Sequence, residues 1–158
     1  MAEAAELGEI VVLATPWAAT EAAIREAGAG LRNKPLIDCT NPLSADFSAL
    51  TIGTSDSGGE QVARWATGAS VFKAMNQTGA ENMTKPTFKG GKPVMFICGD
   101  DETRKPIVLG LIDQLGFETI DAGKLMVARL LEPYALLWIH LAVRRNLGGQ
   151  FAFGILRR

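Results

Sequence analysis

The sequence predicts an α/β protein, doubly wound around a parallel sheet. Short apolar runs recur along the chain, and they are continuous rather than alternating, as in strands buried on both faces. Between them lie helical stretches of about 10–15 residues, the spacing of βαβ units. Gly, Asn-Pro and Lys/Gly/Pro clusters punctuate the joins.

In order, Ala2 to Leu7 reads as a short helix. Ile10-Val11-Val12-Leu13-Ala14 is the first strand, and Thr15-Pro16 reads as N-cap and first position of a helix running from about Trp17 to Ala27. Gly28-Ala29-Gly30 stops it. Pro35 to Cys39 is the second strand, broken by Asn41-Pro42, and a Ser/Thr/Gly-rich loop runs on to Gly58. Gly59 to Ala66 is a helix, Ser70 to Ala74 the third strand and Gly79 to Thr84 a short helix. After a turn at Lys89 to Pro93, Val94 to Cys98 is the fourth strand. Asp100 or Asp101 caps a helix carrying Arg104 to Leu115, and Phe117 to Asp121 is the fifth strand. From about Leu125 the chain is helical and apolar, with a break at Gly148-Gly149.

The 158 residues are read as one domain, with a sheet-bearing region at 1–123 and C-terminal helices at 124–158. Hydrophobic residues make up 47% and charged residues 21%, which excludes a disordered chain or a coiled coil. Sixteen basic residues against 17 acidic ones give a net charge of −1, so no basic surface is available for nucleic acid. Cys39 and Cys98 sit in apolar runs and are read as buried, reduced thiols, which fits a cytoplasmic protein. The apolar stretch Leu130 to Val143 carries Glu132, Pro133 and His140 and falls short of the roughly 20 apolar residues of a membrane span.

In doubly wound sheets ligands bind beyond the carboxyl ends of the strands. That singles out Thr15-Pro16-Trp17, Thr40-Asn41-Pro42 and Met75-Asn76-Gln77. The first turn is compatible with a phosphate or ribose resting on helix N–H groups, or with an ordinary helix start. Asn41 and Asn76 are compatible with ligand hydrogen bonds or with Asx turns. Asp100-Asp101 is better explained by capping than by metal binding, and the lone His140 has no acidic or Cys partner nearby in sequence. Zinc spacing, a Gly-x-Ser-x-Gly elbow and a Gly-Lys-Ser/Thr phosphate loop are missing. No catalytic acid, base or nucleophile is assigned. That pattern still allows hydride transfer, where cofactors carry the chemistry and the protein holds two rings face to face.

Eight strings taken together sharpen the reading. They are Val12-Leu13-Ala14-Thr15-Pro16-Trp17, Asp38-Cys39-Thr40-Asn41-Pro42-Leu43, the segment Ser57 to Trp65, the segment Phe72 to Met83, Gly99-Asp100-Asp101, Leu115-Gly116-Phe117, Asp121-Ala122-Gly123 and Arg129-Leu130-Leu131-Glu132-Pro133. In that order they resemble the NADP oxidoreductases that depend on the deazaflavin coenzyme F420, with the ferrireductase domains of the STEAP metalloreductases as distant cousins. The resemblance implies a Rossmann-like three-layer sheet that binds NADP(H) and passes hydride to a deazaflavin F420 or flavin-type acceptor. By position, it implies Thr15, Pro16 and Trp17 at the ribose and pyrophosphate, and Asn41 and Pro42 near the nicotinamide. Met75, Asn76 and Ala80 are implied where the two rings meet, and Leu131 and Pro133 beside the second cofactor.

The family's opening strand, Gly-x-Gly-x-x-Gly turn and phosphate-selecting strand have no counterpart among these residues. On the scale of a βαβ unit this amounts to about 60 residues. Ile10 to Ala14 is therefore expected to form an apolar, unpaired sheet edge that seeks a partner, such as a second copy in a homo-oligomer. The alternative to an oxidoreductase is a non-catalytic α/β domain that self-associates or binds a protein partner.

Overall fold

A computed structural model describes residues 1–158. The elements, in chain order, are α1 (Ala2–Leu7), β1 (Val11–Leu13), α2 (Trp17–Ala27), β2 (Pro35–Asp38), α3 (Gly58–Trp65), β3 (Ser70–Lys73), α4 (Ala80–Thr84), β4 (Val94–Gly99), α5 (Lys105–Gln114), β5 (Glu118–Gly123) and α6 (Ala128–Ile139). Every expected strand and helix is present, most within a residue or two of the expected bounds. The five strands form one Rossmann-like sheet in the order β1-β2-β3-β4-β5. β1, β2 and β3 are parallel, with Val12 opposite Ile37 and Ile37 opposite Phe72. β4 and β5 are parallel to each other.

The expected all-parallel sheet is interrupted once, because β4 runs antiparallel to β3 through Phe72–Gly99 and Lys73–Cys98. A parallel crossover needs about a dozen residues, most often a helix that carries the chain back across the sheet. Here α4 has only 5 residues, so the chain turns and re-enters at the end where β3 left. Gln77 extends the short β3–β4 pairing. Its side-chain amide donates to the Phe96 carbonyl (2.7 Å) and accepts from the Phe96 N–H (3.0 Å), as a neighbouring strand would. Gly99 is required at this crossing, since a Cβ there would run into the Phe72 ring.

Two apolar clusters flank the sheet. On one face α1, α2, α3 and α6 pack through Ala23, Ile24, Val62 and Leu131 against Leu13, Leu36 and Val71. On the other, Val108 and Ile112 of α5 pack against Ile37, Phe72, Ile97 and Phe117. α5 lies over β4 and β5. β1 forms one edge of the sheet, as expected, and its Val12 is 53% exposed.

Local details differ at the ends of elements. Thr15 does not cap α2. Pro16 occupies the cap position with ψ 142°, the helix starts at Trp17, and the Thr15 hydroxyl instead shares a hydrogen bond with that of Thr20 (3.0 Å). Asp101 does cap the turn ahead of α5, accepting from the N–H groups of Thr103 and Arg104. Asp100 accepts from the Leu125 N–H.

Leu125–Arg144 is a continuous 20-residue helical run, long and apolar enough by composition to cross a membrane. Its inner face, however, is part of this fold, with Ala128, Leu131, Glu132, Ala135 and Trp138 all buried. Helix ends at Arg144 rather than at Gly148, and the remaining residues run without regular structure. Phe151 stacks on Trp138 with ring centroids 5.2 Å apart. The Phe153 carbonyl accepts from the Val94 N–H (2.9 Å).

α3 and α6 are joined on the surface. Ser57 and Glu60 form a reciprocal capping pair, with the Ser57 hydroxyl accepting from the Glu60 N–H and donating to its carboxylate. Arg129 grips the same carboxylate through two hydrogen bonds of 2.8 and 2.7 Å. The Arg129 hydrogen bond holds the Glu60 carboxyl below its ordinary value of 4.5. The stabilisation this gives is complete above pH 4.5 and is lost as the pH falls below it, through the lowered folded-state value. We expect Glu60→Gln to cost about 1 kcal/mol or less near neutral pH. We also expect it to flatten the acid limb of the stability curve, which urea midpoints measured across that limb will show.

Candidate functional site

A charged side chain cannot sit in a buried strand without partners. Two of the buried strands here carry one each, Asp38 on β2 and Lys73 on β3, both fully buried. Lys73 Nζ lies 2.9 Å from Asp38 Oδ2 and 2.9 Å from Oε1 of the buried Glu132 on α6, and it donates to the Thr40 carbonyl (2.6 Å). Burial alone would lower the Lys73 pKa, but the Asp38 and Glu132 carboxylates and their hydrogen bonds outweigh it, and the ammonium stays above its ordinary value. Two carboxylates against one ammonium leave a net negative charge. The start of α3 offsets it, because Glu132 accepts from the N–H groups of both Gly58 and Gly59 (2.9 Å each), at the positive end of the helix. Gly58 must lack a side chain for this approach. A Cβ there would sit 3.1 Å from Glu132 Oε1, 3.2 Å from Pro42 Cδ and 3.2 Å from Trp17 Cζ3.

This buried network sets the chain as it leaves β2. Asp38 Oδ1 accepts from both the N–H and the hydroxyl of Thr40. Beyond Thr40 opens a cleft of about 580 Å³ at the carboxyl ends of β1, β2 and β3, within the range of small-molecule sites. Seven of the ten expected site residues line it: Thr15, Pro16, Trp17, Asn41, Met75, Asn76 and Ala80. Three do not. Pro42 is buried behind the cleft, Leu131 is in the core, and Pro133 is exposed on α6. The 3.6-residue helical period turns Pro133 away from the face that carries Leu131, Glu132 and Ala135.

The lining is apolar and aromatic. It includes Phe47, which no strand-end argument selects, and Trp138 from α6. None of its residues is charged. The lining therefore suits flat rings with few hydrogen-bonding groups. For phosphates it offers hydroxyls such as that of Thr15 and the first N–H groups of α2, but no cation. Met75 has φ +58°, a left-handed conformation that bulky residues rarely adopt, and its N–H points at the Met95 sulfur (3.2 Å). Cys98 is buried as expected, but Cys39 is only half-buried because its side chain reaches the cleft. Burial and the neighbouring Asp38 push the Cys39 thiol up to about 12.

Asp38, Lys73 and Glu132 are not among the residues that strand-end topology or family resemblance selects. The signal for them was a charge inside each of three otherwise apolar runs.

Fold and cleft together define a Rossmann-type α/β protein with a cleft where its parallel strands give way to helices. The chain belongs to the F420-dependent NADP reductase family. It is 35% identical to a protein of known structure from Arthrobacter sp. FB24 described as a putative F420-dependent NADP reductase, with a TM-score of 0.90 over 99% of this chain and 72% of the other. It is 25% identical over 150 residues to the F420-dependent NADP reductase of Methanocaldococcus jannaschii, covering 90% of this chain and 66% of the relative. A Sinorhizobium meliloti protein, 25% identical, shares the fold with a TM-score of 0.73 over 83% of this chain and 64% of its own. The chain thus spans about two thirds of the length of the curated relative it matches. No protein-family model matches it.

Gly58→Ala is expected to destabilise the chain by about 1–3 kcal/mol, read as a lower urea midpoint at unchanged slope. Cys39, though it reaches the cleft, is expected to resist iodoacetamide in the native chain at mildly alkaline pH and to react on unfolding, measured by mass spectrometry.

Proposed function

We propose that the chain is the ring-binding part of an NADP(H)-dependent reductase. It holds the nicotinamide end of NADP(H) against a deazaflavin F420 or flavin-type acceptor, and it works in the cytoplasm. The supporting observation is the uncharged, aromatic cleft at the carboxyl ends of the parallel strands, which gathers Thr15, Trp17, Asn41, Met75 and Asn76. NADP(H), when bound, would supply the hydride, and the proton that completes the acceptor's reduction would come from solvent, so the chain needs no acid or base of its own.

In this reading Trp17 and Trp138 wall the ring site and keep water from it, and Asn41 orients the nicotinamide. Thr15 and the first N–H groups of α2 receive the ribose and the neighbouring phosphate. The uncharged lining fits the ring end of the dinucleotide, while none of its residues matches the 2′-phosphate with a cation. Leu131 contributes only through its carbonyl, on which Asn76 rests at 3.5 Å.

We propose also that a second copy pairs with the open edge of β1. The half-exposed Val12 beside an uncharged strand edge supports this reading.

NADPH titrated into the full chain is expected to draw energy transfer from Trp17 and Trp138 with a Kd in the micromolar range, about −8 kcal/mol. Trp17→Leu should weaken it several-fold. No binding up to about 1 mM overturns the reading. Sedimentation of the free chain is expected to show a dimer that Val12→Lys dissociates, and a monomeric wild-type chain overturns the pairing.

A further inference from the structure

We propose that Lys73 is a positioning residue for the cleft. By fixing both sides of Thr40 it presents Asn41 as the one cleft side-chain amide with a free N–H donor beside a free lone pair, set to recognise a planar carboxamide. This rests on the reading of the cleft as the nicotinamide site.

Donors and acceptors decide which amide is free to meet a ligand. A primary amide side chain has two N–H donors and an oxygen with two lone pairs. Gln77 uses both donors, on the Asn76 side-chain oxygen (3.0 Å) and the Phe96 carbonyl (2.7 Å), and accepts from the Phe96 N–H. Asn76 uses both donors, on Asn41 Oδ1 (3.0 Å) and the Leu131 carbonyl (3.5 Å), and its oxygen accepts from Gln77. Both residues are buried, Asn76 at 5% and Gln77 at 3% exposure. Asn41 is half-buried on the cleft wall. It donates once, to the Asn76 carbonyl (2.9 Å), and accepts once, from the Asn76 side chain. One N–H and one lone pair of Asn41 remain, and a carboxamide presents the matching acceptor and donor.

Asn76 therefore cannot donate to a ligand without breaking an internal bond, and it cannot offer the paired donor and acceptor that a carboxamide needs. Its part is to orient Asn41. Lys73 controls the other side of Asn41. Its three N–H groups meet Asp38, Glu132 and the Thr40 carbonyl. Asp38 in turn accepts from the Thr40 N–H and hydroxyl. The peptide that carries Asn41 is thus held at its carbonyl by Lys73, and the ring of Pro42 restrains the backbone on the far side of Asn41.

Lys73→Met alone strands two buried carboxylates and is expected to unfold the chain. The informative variant is Asp38→Asn/Lys73→Met/Glu132→Gln, which removes the charges together. In the folded triple variant NADPH affinity is expected to fall about tenfold, or 1.4 kcal/mol. Affinity for 2′-phospho-ADP-ribose, the same nucleotide without nicotinamide, should be unchanged. Asn41→Ala should show the same selective loss, and adding it to the triple variant should cost nothing further. Independently of any variant, the Asn41 side-chain amide resonances of the wild-type chain should shift with NADPH, while those of Asn76 and Gln77 stay. Equal loss of both ligands, wild-type affinity in the triple variant, or a static Asn41 resonance in a chain that binds NADPH overturns the proposal. A wild-type chain that binds 2′-phospho-ADP-ribose and NADPH equally tightly also overturns it, while leaving nucleotide binding intact. A chain that binds neither overturns the functional reading and this inference with it.

Discussion

The salt bridge from Lys73 to Asp38 and Glu132 is the constraint on which the other parts of this molecule depend. Three charges sit where water does not reach, and none can be left without its partners. Satisfying them brings together four elements that are distant in sequence. β2 and β3 supply Asp38 and Lys73, α6 supplies Glu132, and the first two N–H groups of α3, from Gly58 and Gly59, meet the Glu132 carboxylate. The same contacts decide where the chain goes after β2, and so where the cleft opens. Such a network adds little stability over an apolar core of equal volume, whereas removing one partner leaves an uncompensated buried charge.

Much of the fold was legible because it stems from apolar periodicity. The strand at Ser70 and the helix at Trp17 could be placed within a residue from local pattern and punctuation. The reversal at β4 could not, since nothing in Val94 to Cys98 tells parallel from antiparallel. That choice was made by the shortness of the helix at Ala80, together with a glutamine side chain that imitates a strand.

The cleft was legible at the strand ends, where topology alone selects Thr15, Asn41 and Met75. It was not legible where residues reach it from elsewhere. Trp138 arrives from a helix whose apolar face looked like ordinary core, and Phe47 from a loop with no strand to anchor it. Leu131 and Pro133 show the converse. Family resemblance pointed to them, but the helical period turns one into the core and the other into solvent. Asn41 and Asn76 looked alike in sequence, and only the full set of hydrogen bonds separates the amide that faces the cleft from the one that supports it.

The placing of Glu132 so late in the chain has a consequence for synthesis. Asp38, Lys73 and the glycines that open α3 leave the ribosome well before the residue that completes their network. Until α6 emerges, Lys73 has only Asp38 and the Thr40 carbonyl as partners, and the start of α3 lacks the Glu132 carboxylate as acceptor for its N–H groups. Strands β1 to β3 therefore reach their full set of buried partners only once the C-terminal helix is in place. A nascent chain stalled before Glu132 exposes this region unfinished to the quality-control machinery of the cell, whereas one that has passed it carries every residue of the network.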